Sequence, residues 1–391
     1  MEQFKALLRP IWWPVQRLIS RIGKTLRFEA SAQRRELHLA QLSFWQGRSP
    51  LAGRLLVVYK HKGLTDHLLY AMLIYLRRTY TGVPFLGFAQ HEKPRHNPAL
   101  GAEKLVRGVN RAQPQTLFAY DSPLSIGEMD FLRAEGIPVA SNTIGLDSFF
   151  CGGAATQAEA IEILRAYRWY FVNHAPHVPR LRAEGVNAIA LPMAYEPRWF
   201  YPLKGEEPRY DVLFVGDIDT PLNSNRRALL ERVSRHFRVT MLSYRPPGID
   251  GVEHIGVAIS PHQLNRTLNR ARLVLGSDRL GDINALNQFP EQTIFYEDEF
   301  YIRQRVYLVL GAGACYLVER HPEIACQFED GREIVLWDDE DELCDRIAYY
   351  LAHDDERRAV GLAGHRRVRA EYTVEHLISR MLREMDLLPG E

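Results

Sequence analysis

The stretch Arg305-Val-Tyr-Leu-Val-Leu-Gly311-Ala-Gly313-Ala-Cys315-Tyr-Leu-Val-Glu319 decides the fold. It opens on a basic residue, runs through an apolar segment of helical character and breaks at Gly311 and Gly313. It then resumes as a short apolar run, Cys315 to Val318, that reads as a β-strand. Phe328-Glu-Asp-Gly-Arg-Glu-Ile-Val-Leu-Trp337 follows with a polar loop and a second strand near Glu333, and the rest of the chain is helix-rich. Helix, glycine stop, strand and helix in that order predict an α/β unit.

The same alternation extends outward in both directions. Towards the amino terminus the order is a strand at Asp211 to Val215, a helix at Asn223 to His236, a strand at Arg238 to Leu242, a helix at His262 to Ala271 and a strand at Arg272 to Leu275. Before it lies Pro192 to Pro208, whose four prolines mark a connection rather than an element interior. Upstream again, apolar runs at Leu55 to Tyr59, Pro84 to Ala89, Thr116 to Tyr120, Ile137 to Ala140, Tyr170 to Asn173 and Ala188 to Leu191 alternate with helical stretches. Continuous apolar strands separated by helices imply parallel sheets covered on both faces. Two Rossmann-like units are expected, with ligands at the carboxyl ends of their strands. A length of 391 residues suits two cores.

The region from about Tyr210 to Leu382 resembles the donor-binding end of GT-B glycosyltransferases, in particular the bacterial branch similar to the spore maturation protein CgeB. The resemblance implies an α/β, GT-B-like fold with two Rossmann-like domains facing across a cleft and a C-terminal helix crossing back to the first. The expected division is a basic amphipathic arm at 1–50, an acceptor-side domain at 51–192, a linker at 193–209, a donor-nucleotide domain at 210–372 and a final helix at 373–391. The function so implied is transfer of a sugar from a nucleotide sugar to a glycan, lipid-linked glycan or protein, with no cofactor and no metal. A non-catalytic GT-B-like binding protein and a nucleotide-sugar epimerase on the same plan are the alternatives.

Breaking a sugar–diphosphate bond requires the leaving diphosphate to be stabilised, a task for helix-start N–H groups and basic side chains. Gly216 follows a strand and precedes Arg226 and Arg227, which point about 100° apart on a helix, so that at most one faces the cleft. Arg305 suits phosphate oxygens. The resemblance adds Gly313 and Glu333 to this donor set. In the first unit Lys62 and Gly63, with His61 as a proton carrier, follow the first strand, and Asp147 is a candidate general base, with Asp121 as an alternative.

The chain departs from the family at Leu308, where the resemblance leads one to expect a carboxylate on the ribose hydroxyls. Either another acid (Glu297, Glu299 or Glu333) takes its place, or the nucleotide is held differently, or turnover has been lost.

Other chemistries find little support. Asp217-Ile-Asp219 spells a metal-binding DxD, a three-residue match common by chance, and Gly311-Ala-Gly313 lacks the strand and third glycine of a dinucleotide fingerprint. Net charge is +1, which offers no general attraction for nucleic acid. Four cysteines without CxxC spacing suggest reduced thiols in a cytoplasmic protein. Residues 1–27 interleave Lys5, Arg9, Arg17, Arg21, Lys24 and Arg27 with Trp12, Trp13 and aliphatic residues. That pattern fits both a peripheral contact with the inner face of a membrane and packing on the protein's own surface, and Pro10 and Pro14 interrupt any helix there.

Overall fold

The computed structural model describes residues 51, 53–60, 67–80, 82–88, 98–121, 124–142, 156–218, 223–258, 260–280 and 300–389. The arm at 1–50, His61, Lys62, Gly63, Asp147, Glu297 and Glu299 lie outside the described residues.

Among these residues the first unit contains six strands, β1 (Leu55–Lys60), β2 (Phe85–Phe88), β3 (Thr116–Tyr120), β4 (Val139–Asn142), β5 (Trp169–Val172) and β6 (Ala188–Ala190), in the order β2-β1-β3-β4-β5-β6. All are parallel, with registers such as Val57 opposite Phe85 and Phe118. Leu55, Val57 and Tyr59 enter one apolar core while Leu56 and Val58 enter another on the opposite face. The two-residue alternation of a strand therefore buries apolar side chains on both faces, which is why the sequence runs apolar without a break.

The second unit has β7 (Tyr210–Val215), β8 (Val239–Leu242), β9 (Val252–His254), β10 (Ala271–Leu275), β11 (Tyr316–Glu319) and β12 (Val335–Trp337), again all parallel, in the order β12-β11-β10-β7-β8-β9. Strand β9 has no counterpart in the sequence reading. It is an edge strand of three half-exposed or exposed residues, Val-Glu-His, with no apolar run to announce it. The strand order reverses between β7 and β10, which opens a crevice at their carboxyl ends.

The segment between β6 and β7 forms no regular element beyond one bridge, Tyr195 with Thr373. There the Tyr195 N–H donates to Tyr372 O at 3.1 Å and the Val374 N–H donates to Tyr195 O at 2.9 Å. This seam ties the linker to the start of the last helix, Val374–Glu384, whose N-cap Thr373 forms a capping box with His376. The last helix buries Leu377, Ile378, Met381 and Leu382 and packs on the helix His67–Thr79 of the first unit. Just beyond it, Arg54 reaches the carbonyls of Asp386 and Leu387, both at 3.4 Å. The segment after the last helix thus returns to the first unit.

One apolar cluster runs through both units by way of Tyr195, Trp199, Phe200 and the last helix, and Leu308 belongs to it. Leu308 is 7% exposed, on a helix (Arg305–Gly311) whose residues from Val306 to Gly311 are all buried. Leu308→Glu therefore places a carboxylate among apolar side chains and should destabilise the protein by about 3 kcal/mol. Chemical denaturation measures this, and a variant as stable as the parent would show that position 308 opens onto ligand or solvent instead.

Candidate active site

In a parallel sheet every strand ends at the same edge. The turns after β7, β10 and β11 therefore come together, and they supply Gly216-Asp217, Gly276-Ser277-Asp278 and Glu319. The helix Arg305–Gly311 runs back against the strands, so its first residue also lies at that edge. Gly216 has φ +142°, a conformation that favours glycine, and a Cβ there would stand 2.5 Å from Nη2 of Arg305. Arg305 thus lies directly over the Gly216 backbone, and both it and Arg226 sit near the face of Phe214, at 5.5 and 5.9 Å from the ring centre.

Arg226 is 2% exposed. It donates from Nη1 to Asp217 O at 2.9 Å and from Nη2 to Ser277 O at 3.4 Å, joining the turns after β7 and β10 across the crevice. Its neighbour Arg227 is half-exposed and pairs with Glu231 at 3.7 Å, so one arginine of the two faces inward, as helical geometry requires. Burial, and then the charges of Arg303 and Arg305, hold the Arg226 pKa well below its ordinary value. Burial and Arg305 lower that of Arg303 as well.

Arg226, Arg303 and Arg305 form a cluster of like charge in which Nε of Arg226, Nε and Nη2 of Arg303, and Nη1 of Arg305 are buried without a hydrogen bond among the described residues. None of the three makes an ion pair with a carboxylate there. Such a cluster is stabilised by an anion, and a diphosphate has the charge and the oxygen geometry to meet it. The helix Ser224–Ser234 begins at the same edge, and Asn223 provides no side-chain cap, which leaves its first N–H groups to face an anion.

The acids nearby are set differently. Glu319 accepts from Ser277 Oγ at 2.7 Å and from the Asp278 N–H at 2.9 Å, which fixes the turn after β10. Burial, then the adjacent Asp278, raises the Glu319 pKa. Asp278 is fully buried, and its Oδ2 lies 3.7 Å from Nε2 of His321. His321 stacks on Phe300 at 5.1 Å.

Across the cleft, the ends of the first sheet are joined to this unit by buried polar contacts. His174 Nδ1 lies 2.7 Å from Glu323 Oε2, the Ala175 N–H donates to Glu323 Oε1 at 2.9 Å, and the Tyr301 hydroxyl donates to Asn173 Oδ1 at 2.6 Å. Asp121 sits at the end of β3 with φ +38°, and its N–H donates to Asn142 Oδ1 at 3.0 Å.

Of the residues singled out from sequence, the structure brings together Gly216, Arg226 and Arg305. Arg226 reaches backbone carbonyls with both terminal nitrogens, so it braces the site rather than presenting a free fork. Gly313 and Glu333 are not part of the cluster. Both precede a strand, β11 and β12 respectively, and so lie at the opposite edge of the parallel sheet. A Cβ on Gly313 would meet Pro202 at 2.7 Å, so this glycine serves packing against the linker. Glu333 accepts from the Glu329 N–H at 3.1 Å and approaches Arg367 at 4.0 Å, which closes its own turn.

Arg303, Asp278, Glu319, His321 and the His174–Glu323 pair escaped the sequence reading. Applying the strand-end rule to β10 and β11, as was done for β7, points to Asp278 and Glu319.

A family model described as glycosyl transferase-like matches residues 225–383. No curated protein sequence matches the chain. Among solved structures, sucrose-phosphate synthase from Thermosynechococcus elongatus is similar at 12% identity and TM-score 0.57, over 85% of this chain and 99% of that one. HepE of Anabaena in complex with UDP and glucose is similar at 9% identity and TM-score 0.59, over 86% and 100%. UDP-GlcNAc 2-epimerase from Neisseria meningitidis bound to UDP-GlcNAc is similar at 8% identity and TM-score 0.50, over 85% and 99%. The chain has the GT-B fold, and the match to the glycosyl transferase-like family model lies within its second unit.

The raised Glu319 pKa carries a sign. An acid whose pKa is higher in the folded than in the unfolded chain favours folding below its unfolded value, and that contribution is lost as pH rises through the folded value. Glu319→Gln keeps an acceptor for the Asp278 N–H and a donor for Ser277 Oγ but has no proton to lose. The variant should match or exceed the parent in melting temperature at neutral pH, and its advantage should vanish towards about pH 4, near the unfolded value of a glutamate. A melting series against pH tests this, and a variant less stable at neutral pH would refute it.

Proposed function

We propose that this protein is a glycosyltransferase that takes a sugar from a nucleotide-sugar donor, without a metal, and delivers it to a glycan, lipid-linked glycan or protein. The observation that carries the proposal is the cluster of Arg226, Arg303 and Arg305 over Gly216, a preformed site for the diphosphate of the donor. As the bond from the anomeric carbon to the diphosphate breaks, charge grows on the leaving oxygens. In this reading Arg305 and Arg303 meet it, while Arg226 holds the two turns through its hydrogen bonds to Asp217 O and Ser277 O. Fixed charges that need no rearrangement at that moment lower the barrier.

The acceptor hydroxyl must lose a proton as it attacks, and Asp147 and His61 remain our candidates for that base. Lys62 and Gly63 would add to the diphosphate side. The Arg305-x-Tyr307 pattern favours the CgeB-like branch. No helix among the described residues is long and apolar enough to cross a membrane. We place the protein in the cytoplasm, and for the basic arm 1–27 both a peripheral contact with the inner face of the membrane and packing on the protein's own surface stay open.

A second reading, a GT-B-like protein that binds a nucleotide or glycan without turnover, is favoured by Leu308 and its apolar surroundings. A screen of nucleoside diphosphates and their sugar conjugates by thermal shift, followed by an assay for diphosphate release, separates the two. A ligand at 100 times its dissociation constant should add about 2.7 kcal/mol to stability. Binding with release of the nucleoside diphosphate in the presence of an acceptor supports the enzyme. Binding without release in any acceptor mixture supports the second reading, and absence of binding removes the enzyme and leaves only the glycan-binding form of the second reading.

Arg305→Ala should weaken nucleoside diphosphate binding by about 1.5 to 3 kcal/mol, the worth of a hydrogen bond to a charged group. The free protein should not lose stability, because one of three mutually repelling charges has gone. Calorimetric titration and a melting curve check both parts. Unchanged affinity in the folded variant would remove Arg305 from the donor site.

A further inference from the structure

Tyr316 opens β11 and stands opposite Val274 of β10. Its ring tip lies further along the sheet. A Cβ on Gly276, two residues on from Val274, would meet the Tyr316 hydroxyl at 1.9 Å, Cζ at 2.3 Å and Cε2 at 2.7 Å. The ring therefore leans along the strands towards their carboxyl edge, and the missing side chain at Gly276 makes room for its tip. Gly276 leads into Ser277 and Asp278, the turn to whose Ser277 carbonyl Arg226 donates. The hydroxyl thus ends at the crevice that holds the arginine cluster.

Tyr316 is fully buried, and its hydroxyl has no hydrogen bond among the described residues. Both carboxylate oxygens of Asp278 lack one as well, so these two groups do not satisfy each other. Arg226, Arg303 and Arg305 are all electrostatic neighbours of the ring. Burial, then the charge of Asp278, raises the Tyr316 pKa, with Arg305 acting against the shift. The hydroxyl therefore keeps its proton and is a donor. Leaving a buried donor unmet is costly, and a phenylalanine would fill the same space without that cost. The free protein holds this unused donor in the same place as the unused donors of three guanidinium groups.

We propose that the Tyr316 hydroxyl is a further ligand of the anion held by Arg226, Arg303 and Arg305, admitted to the site by Gly276. The inference rests on the donor-site reading and deepens it. The diphosphate then meets a neutral donor carried on a strand of the sheet in addition to the guanidinium groups, which fixes one of its oxygens in place as well as neutralising charge.

The test compares the full chain with Tyr316→Phe. Inorganic pyrophosphate, UDP, GDP, ADP, CDP and dTDP are titrated against both by calorimetry, and both are melted without ligand. Affinity for the probes that bind the parent should fall about tenfold or more, the worth of a hydrogen bond to a charged group. The unliganded variant should melt at or above the temperature of the parent. A second variant, Gly276→Ala with Tyr316→Leu, puts a methyl group where the ring tip lay and should show the same loss of affinity. Unchanged affinity in Tyr316→Phe overturns the inference and leaves the donor site standing. A loss of both stability and affinity overturns it too, because the hydroxyl then belongs to the fold. A parent protein that binds none of the probes removes the donor-site reading itself, and this inference falls with it.

Discussion

Each strand in both sheets runs in the same direction, and this constraint governs where chemistry is placed. Connectivity sends every strand-to-helix turn to one edge and every helix-to-strand turn to the other. Gly216, Asp278 and Glu319 are neighbours because each follows a strand, and Arg305 joins them because it opens a helix that returns from that edge. Gly313 and Glu333 carry residue types equally suited to a phosphate or a ribose, yet each precedes a strand and stands at the other edge of the sheet. Residue type proposes a role, but direction of the chain decides it.

Within that edge, the arrangement of charge opposes the stability of the free protein. Three guanidinium groups share a partly desolvated space, and burial weakens the hold of two of them on their protons. The cost is offset where Arg226 donates to carbonyls of both turns, since hydrogen bonds to a charged group contribute about 1.5 to 3 kcal/mol each. Arg226 is thereby both strut and source of field. Asp278 and Glu319 lie below it, and the Glu319 carboxyl holds the very turn whose carbonyl Arg226 uses. The remaining guanidinium N–H groups at Nε of Arg226, Nε and Nη2 of Arg303 and Nη1 of Arg305 are buried without a hydrogen bond among the described residues.

Much of this was legible in the sequence because apolar runs report buried parallel strands directly. Strands β1, β3, β5, β7, β10 and β11 all lie within a residue or two of the expected runs, whereas β9 was silent because an exposed edge strand needs no apolar pattern. In the site, Gly216 and Arg305 were visible as a glycine after a strand and an arginine opening a helix. Arg303, two residues earlier, was not, since nothing in the sequence shows that an irregular segment folds its side chain back towards Arg305. The fate of Leu308 was likewise closed to sequence. Only the packing around Tyr195 and the last helix shows that this face of the helix belongs to the core.

The same packing limits how the two units move. At the linker, the seam between Tyr195 and residues 372–374 holds two backbone hydrogen bonds against the last helix, which is itself anchored on the first unit by apolar side chains. At the cleft, His174 with Glu323 and Asn173 with Tyr301 join the facing sheet ends through buried polar contacts. Separating the sheet ends would break the second set and leave the Glu323 carboxylate and the His174 imidazole in need of other partners. The interface between the units is therefore held by polar side-chain contacts at the cleft and by backbone hydrogen bonds and apolar packing at the linker.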